Sequence, residues 1–134
     1  MKPKQQQTVQ LADERGQSLT EFALALPILA LLLFAIIQFG IVFNNYVTLT
    51  DATRAGARKG AVARRLPNPE NATVKAVRDS ATDLNQNDLT VTVTSTWLPA
   101  ADVRVFARYP YHISLLGLVV KDGWLSSTTT ERVE

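Results

Sequence analysis

An uninterrupted apolar run limits the folds open to this chain more than any other feature. From Phe22 to Phe43 the sequence contains no Asp, Glu, Lys or Arg. As an α-helix, a run of that length extends about 33 Å, against about 30 Å for the hydrocarbon core of a bilayer. The run therefore predicts a transmembrane helix. Glu21 lies at its edge, where a carboxylate is costly unless it meets a cation or water.

The segment before the apolar run reads as a leader rather than as part of a folded domain. Residues 1–16 are mostly polar or charged, which predicts a disordered, removable segment. An ordinary secretory signal does not fit, because its apolar region spans only about 7–15 residues and ends at a small-residue cleavage site. Here the run is longer and continues into Asn44-Asn45-Tyr46.

Three residues interrupt the regularity of the predicted membrane helix. Pro27 lacks an amide proton and predicts a kink or a loosened turn. Gln38 is polar at membrane depth, and Gly40 permits close approach of another backbone, so the pair favours contact with a second helix. Membrane helices also tolerate all three residues without any special role.

The helix is expected to continue to about residue 65, because residues 44–65 contain no proline and are rich in alanine. Ala52, Gly56 and Gly60 recur every four residues and so share one helical face. We call them the small-residue stripe. Each glycine weakens a helix by about 1 kcal/mol relative to alanine, so the stripe predicts compensating close packing against a helix or a sheet.

The remainder, residues 66–134, predicts a small α+β domain that draws part of its stability from the membrane helix or from a partner. Asn68 and Pro69 are typical of an N-cap followed by proline at the first helical position, and they begin a second helix that reaches about Leu84. The period then changes from 3.6 to 2, which predicts a sheet of about three antiparallel strands. We expect strands at 89–97, 102–109 and, at the edge of the sheet, 125–132. Pro110 ends the second strand, 113–120 form an apolar loop or a short helix, and 121–123 form a turn.

The chain lacks the residues from which catalytic or metal sites are built. It contains no cysteine and a single histidine, His112, so no catalytic residue, metal site or cofactor is predicted. We therefore expect a protein that is not an enzyme. A basic cluster (Arg54, Arg58, Lys59, Arg64 and Arg65) stands in a chain of net charge +2, but no aromatic residues are interleaved with it, so we expect no nucleic-acid partner.

The junction at the start of the apolar run resembles a known processing site. Gly16, followed by Glu21 and Phe22, is similar to the cleavage site of type IV prepilins, and its spacing is closest to the Flp/Tad branch. The longer segment Arg15–Pro27, with Gln38–Gly40 and Ala52–Arg58, resembles TadE-like pseudopilins. Many relatives carry an acid where this chain has Gln38.

This resemblance implies a fold, a processing step and partners. A prepilin peptidase would cut between Gly16 and Gln17 on the cytoplasmic side. The mature chain would stay in the inner membrane through a single helix at residues 22–43, with a cytoplasmic amino terminus, or enter an extracellular pilus. Its partners would be other pilin subunits, the Tad assembly machinery and membrane lipid. Glu21 and Phe22 would then set the register between subunits.

Two other interpretations remain open from the sequence. The chain could be a membrane-anchored binding module that keeps its leader, or a membrane-surface regulator that uses the basic cluster. Charge does not fix the orientation, because Lys2, Lys4 and Arg15 before the run nearly balance the basic residues after it. The cytoplasmic amino terminus therefore follows from the resemblance.

Overall fold

The computed structural model describes the backbone of residues 6–115 and 117–134, and the side chains of the same residues from Gly16 on. Helix α1 is followed by a 3-10 turn, a second helix and three strands. Their bounds are α1 Gln6–Val62, the 3-10 turn Ala63–Arg65, α2 Pro69–Ser80, β1 Thr90–Thr94, β2 Asp102–Leu115 and β3 Leu118–Arg132. This arrangement confirms the predicted α+β fold with one long amino-terminal helix.

Helix α1 begins earlier than the sequence predicted. We expected residues 1–16 to be disordered, but the residues from Gln6 on belong to α1. Gln, Leu, Ala, Glu and Arg dominate residues 6–15, and these are good helix formers with no intervening glycine or proline. The expectation of disorder is therefore wrong from Gln6 on, and for residues 1–5 it lies outside the described part of the chain. The helix continues through Pro27.

The chain divides into two compact units, the first ending at Ile37 and the second spanning Gln38–Glu134. In the first unit, the described side chains of α1 are almost all exposed. The second unit contains the remainder of α1, helix α2 and the sheet, and it holds the buried core.

Helix α2 begins as predicted and ends earlier. The side chain of Asn68 accepts a hydrogen bond from the Asn71 amide at 3.0 Å, which confirms the N-cap, and Pro69 occupies the first turn. The helix ends at Ser80 rather than near Leu84. Ala81 and Leu84 are nevertheless buried, because turns closed by the Ala81 and Leu84 amides carry both side chains back to the core.

The three strands form one antiparallel sheet in the order β1-β2-β3. The β1–β2 pair, with Thr90 opposite Arg108 and Thr94 opposite Arg104, confirms the predicted hairpin. The β2–β3 pair is much longer and runs from Asp102 opposite Arg132 to Leu115 opposite Leu118. The third strand is at the edge, as predicted.

The second hairpin corrects three predictions. β2 does not end at Pro110, residues 113–115 and 118–120 are strand rather than loop or helix, and Lys121–Gly123 lie inside β3 rather than in a turn. Pro110 is tolerated because the last pair with β1 is at Arg108, so β2 has a neighbour on one side only beyond that point. Pro110 itself is opposite Trp124.

The core lies between the helices and one face of the sheet. Its fully buried side chains include Leu49 of α1, Val77 of α2, and Val103 and Val105 of β2. Alternation along β2 places Val103, Val105 and Ala107 inward, while Arg104 and Arg108 are exposed. After β3, Val133 is buried, and the Glu134 amide donates to the Ala61 carbonyl at 2.9 Å.

Candidate functional site on helix α1

The predicted cleavage site lies on the surface of a helix. Gly16 and Gln17 belong to α1 and are exposed. A Cβ atom added to Gly16 would meet nothing within 4 Å. The Thr20 hydroxyl donates to the Gly16 carbonyl at 2.9 Å, so the carbonyl at the predicted scissile bond has a partner from the next turn.

Glu21 is partnered by the residue at the predicted new amino terminus. The Gln17 side-chain amide donates to Oε1 of Glu21 at 3.0 Å. The two residues are four positions apart and therefore adjacent on one helical face. Phe22, beside them, is 58% exposed. The structure thus brings together Gly16, Gln17, Glu21 and Phe22 on adjoining turns of the helix.

The apolar run presents its large side chains outward. Between Leu19 and Phe43 the exposed apolar residues range from 45% for Phe34 to 72% for Leu24. An exposed surface of this kind is typical of contact with lipid or with another chain. Helix α1 contains a stretch that is long and apolar enough to span a membrane, as the sequence predicted.

The irregular residues of the run have different surroundings. Gln38 is half-buried, and its amide nitrogen lies 3.5 Å from the Ser114 hydroxyl on β2, at the long limit of a hydrogen bond. A Cβ atom at Gly40 would meet nothing within 4 Å. Gln38 therefore contacts a strand of its own chain, and contact of Gly40 with a second helix stays a prediction, as does a kink at Pro27.

The small-residue stripe packs as predicted. Ala52, Gly56 and Gly60 are all buried. A Cβ atom at Gly56 would collide with the Val77 side chain of α2, and one at Gly60 would lie 2.7 Å from Cγ1 of Val103 on β2. In both cases the added Cβ atom would be closer to its neighbour than a real Cβ atom can be. The stripe therefore lets α1 approach α2 and the sheet closely, which compensates for the helix-weakening glycines.

A hydroxyl cluster joins α1 to the sheet, and sequence reasoning missed it. The buried Thr53 hydroxyl lies 3.1 Å from the hydroxyls of both Ser127 and Thr129 on β3, and it donates to the Thr50 carbonyl at 2.8 Å. We call Thr53, Ser127 and Thr129 the hydroxyl cluster. The serine and threonine alternation near the end of β3 gave no apolar signal for the inward face, so only the fold reveals it.

The basic cluster lies away from the core. Arg54, Arg58, Lys59 and Arg65 are exposed, and Arg54 pairs with Asp51 at 3.3 Å. Arg54 is eleven residues beyond Phe43, or about 16 Å along the helix. The Debye length at physiological salt is about 8 Å, so attraction to lipid headgroups at the end of the run is strongly screened.

The outer face of the sheet carries a separate aromatic feature. The Arg108 guanidinium lies 4.6 Å from the centre of the Trp124 ring, and Pro110, His112 and Asp122 line a shallow cleft beside the same ring. An exposed cation–π contact is worth about 0.5–1 kcal/mol. Among the described residues, no group of three or more His, Cys, Asp or Glu could hold a metal ion.

Comparison with known proteins identifies the helical segment. Residues 16–58 match the family model of TadE-like proteins. No curated protein and no solved structure matches the chain. The matched segment begins at Gly16, contains Glu21, Phe22 and the apolar run, and ends within the part of α1 that packs on the core. Over residues 16–58 the chain is thus similar to TadE-like proteins, which agrees with the resemblance seen in the sequence and is consistent with a protein associated with the Tad pilus system.

Proposed function

We propose that the protein is a pseudopilin, or minor pilin, that takes part in the assembly of a Tad (Flp) type IV pilus. One observation carries the proposal: an exposed apolar helix bears Gly16, Glu21 and Phe22 at its amino-terminal end, inside the segment that matches the TadE-like family. A prepilin peptidase cuts between Gly16 and Gln17 on the cytoplasmic side. The mature chain is held in the inner membrane by α1 before it enters the pilus or serves its assembly.

The contacts around Glu21 support a role in assembly. Cleavage creates an ammonium group at Gln17, about one helical turn from Glu21. An exposed ion pair contributes less than about 1 kcal/mol. Between helices packed in lipid, an unpaired carboxylate is costly, so an amine from a neighbouring subunit stabilises one axial register. Glu21 therefore sets the register between subunits, and the role of the chain is structural rather than enzymatic.

The partners follow from the same surfaces. The prepilin peptidase recognises the exposed turn at Gly16. Other pilin or pseudopilin subunits and the Tad assembly machinery contact the apolar run once it leaves the lipid. No contact with nucleic acid is part of the proposal, because the basic cluster lacks stacking aromatics.

Amino-terminal sequencing of protein purified from a host with an active prepilin peptidase tests the proposal. We expect the mature chain to begin at Gln17. Gly16→Leu is expected to block processing without disturbing the fold, because a Cβ atom at this exposed position meets nothing within 4 Å. The matched control is Gly40→Leu, at another open glycine of the same helix, which is expected to be processed normally.

Two results would contradict the proposal. If the purified protein retains Met1–Gly16 where a known prepilin is processed, a membrane-anchored binding module becomes the better interpretation. If Gly16→Leu matures at the same size as the unmodified chain, the cleavage site is elsewhere.

A further inference from the structure

The tip of the β2–β3 hairpin is apolar and exposed. Leu118, Val119 and Val120 are 75%, 65% and 62% exposed, and Ile113 and Leu115 on the facing strand are half-buried. We call these five residues the hairpin tip. Three successive exposed apolar residues in a strand place apolar side chains on both faces of the hairpin. A hairpin surrounded by water normally avoids such a run.

Two contacts define how the hairpin runs along α1. Thr53 of α1 contacts Ser127 and Thr129, and Gln38 lies against Ser114, which pairs with Val119. From Thr53 to Gln38 the helix proceeds about 22 Å towards the apolar run. Over the same interval the hairpin proceeds from the middle of the sheet to its tip. The hairpin tip therefore lies beside the last residues of the apolar run.

The overlap between the tip and the apolar run is short. Gln38 precedes the end of the run at Phe43 by five residues, or about 7.5 Å along the helix. A peripheral segment immersed at the boundary between headgroups and acyl chains reaches about 5–10 Å into the membrane. At the level of Ser114 and Val119, which lie beside Gln38, the overlap matches that depth.

The residues beyond the tip change in the order expected for a membrane interface. Next to the tip, His112, Lys121 and Asp122 are exposed and polar. Two positions further along β3, Trp124 is 57% exposed, and on α1 Tyr46 is 44% exposed. Tryptophan and tyrosine concentrate at the membrane–water interface, where one part of the ring system is apolar and another is hydrated.

We propose that the hairpin tip is a second membrane contact, immersed among the lipid headgroups and upper acyl chains beside α1. The inference rests on the proposed function only in that α1 must span the bilayer. Where α1 spans the bilayer, lipid surrounds it at the level of Gln38, so lipid is what the hairpin tip contacts. Immersion stops at the interface, since β3 has an unpaired edge and unsatisfied backbone groups are excluded from the hydrocarbon core. The tip fixes the depth and the rotation of the folded unit against the membrane surface.

Fluorescence quenching in vesicles tests the contact on the whole chain. The sequence has no cysteine, so Val119→Cys, Leu32→Cys and Thr92→Cys each provide one labelling site for a nitrobenzoxadiazole probe. Leu32 lies in the apolar run, and Thr92 is exposed on β1. The protein is reconstituted at low density in vesicles of phosphatidylcholine and phosphatidylglycerol. These contain lipid with a nitroxide either near the headgroup or in the middle of the acyl chain.

The three positions are expected to respond differently. The probe at position 119 shows blue-shifted emission and is quenched most by the shallow nitroxide. The probe at position 32 is quenched most by the deep nitroxide, and the probe at position 92 is quenched by neither. If position 32 responds and position 119 does not, the hairpin contact is refuted while the membrane span stands. If position 32 fails to respond, the span itself and the proposed function are contradicted.

A charge at the tip supplies an independent test. With the probe on Leu118→Cys, the additional change Val119→Asp is expected to abolish quenching by the shallow nitroxide, because a carboxylate resists immersion. Ser126→Asp, at an exposed position of the same strand, is the matched control and should leave quenching unchanged. Blue-shifted emission at position 118 without quenching by either lipid would show that protein covers the tip, and would overturn lipid as the occupant.

Discussion

At the scale of single residues, the glycines of α1 have two kinds of surroundings. Gly16 and Gly40 would accept a Cβ atom without any contact, whereas Gly56 and Gly60 are pressed against Val77, Val103 and Thr73. Glycine at the exposed positions therefore only weakens the helix, whereas glycine at the buried positions also permits the core to pack. The local weakness at Gly16 also makes it easier to open the helical turn around the proposed cleavage bond.

Gly60→Ala is expected to lower the free energy of unfolding by about 1–3 kcal/mol, the usual cost of overpacking a core. Its Cβ atom would lie 2.7 Å from Cγ1 of Val103 and 3.1 Å from the Thr73 hydroxyl, and neither neighbour is flexible. Thermal unfolding in detergent, followed by tryptophan fluorescence, measures the change. Gly40→Ala is the control and should be neutral or slightly stabilising; equal effects of the two substitutions would refute the packing role of the stripe.

Thr53→Val is expected to destabilise the fold by about 1–2 kcal/mol, because it removes the partner of two inward-facing hydroxyls. The hydroxyl cluster predicts non-additivity: Thr53→Val should cost less once Ser127 and Thr129 are already alanine. A double-mutant cycle by denaturant unfolding measures this coupling. Additive costs would mean that the three hydroxyls do not act together. Ser126→Ala, on the exposed side of β3, serves as the control.

At the scale of elements, the beginnings and ends of α2 and β2 show how local signals and long-range pairing compete. Asn68 fixes the start of α2 through a hydrogen bond that is local in sequence. The end of β2 is set by pairing with β3, which overrides the local signal of Pro110. Local chemistry thus determines one boundary and non-local pairing the other.

Asn68→Ala is expected to cost about 1 kcal/mol of stability, the usual loss on removing an N-cap side chain. The Asn71 amide would lose its 3.0 Å partner. Asn68→Asp retains an acceptor oxygen and should stay near the stability of the unmodified chain. Denaturant unfolding of the three proteins side by side measures the difference; an equal loss for aspartate and alanine would exclude the cap as its cause.

The sequence predicted the elements whose signals are local. The uncharged run predicted α1, the Asn68-Pro69 pair predicted the start of α2, and alternation predicted the β1–β2 hairpin. On α1, the spacing of Ala52, Gly56 and Gly60 was sufficient to predict close packing. The family match covers the uncharged run, Ala52 and Gly56, and it stops at residue 58, before Gly60 and α2.

The second hairpin was not predicted because its local signals indicate turns. Pro110 and the Lys121–Gly123 segment are both typical of loops. In the structure, Gly123 lies opposite Tyr111, and a Cβ atom there would be 2.9 Å from the tyrosine hydroxyl. The glycine therefore accommodates an aromatic ring within a strand rather than making a turn. Nothing in a single sequence distinguishes these two uses of glycine.

At the scale of the whole molecule, the core of the second unit depends on the helix that carries the apolar run. Leu49, Ala52 and Ala57 of α1 are buried together with the inward residues of α2 and β2. The core therefore contains residues from both sides of the predicted boundary between the helix, residues 17–65, and the small domain, residues 66–134. The sheet and α2 therefore have no complete core of their own.

A fragment of residues 44–134 is expected to unfold cooperatively, whereas a fragment of residues 66–134 is expected to lack a cooperative transition. The first retains every buried apolar residue from Leu49 onward, and the second loses the α1 side of the core. Near-ultraviolet circular dichroism during heating in mild detergent measures both. Cooperative melting of the shorter fragment would show that the helix is dispensable for folding.

If Glu21 sets the register between subunits as proposed, Glu21→Ala is expected to leave cleavage largely intact and to lower incorporation into pili, because the variant lacks that carboxylate. Immunoblots of cell and sheared-pilus fractions separate processing from assembly. Asp51→Ala removes an exposed acid elsewhere on the same helix and is the control for charge. Normal incorporation of Glu21→Ala would refute the register role.

The dependence of the core on α1 limits how such a protein can be recombined. A chimaera that grafts the sheet and α2 onto the amino-terminal helix of an unrelated chain would keep an apolar run but place unrelated side chains opposite Val77 and Val103, where only glycine fits. A chimaera joined at the carboxyl end of α1 is therefore disfavoured. A junction near Asn44 keeps Gly56 and Gly60 together with the core that they pack against, so swaps between related chains should succeed there.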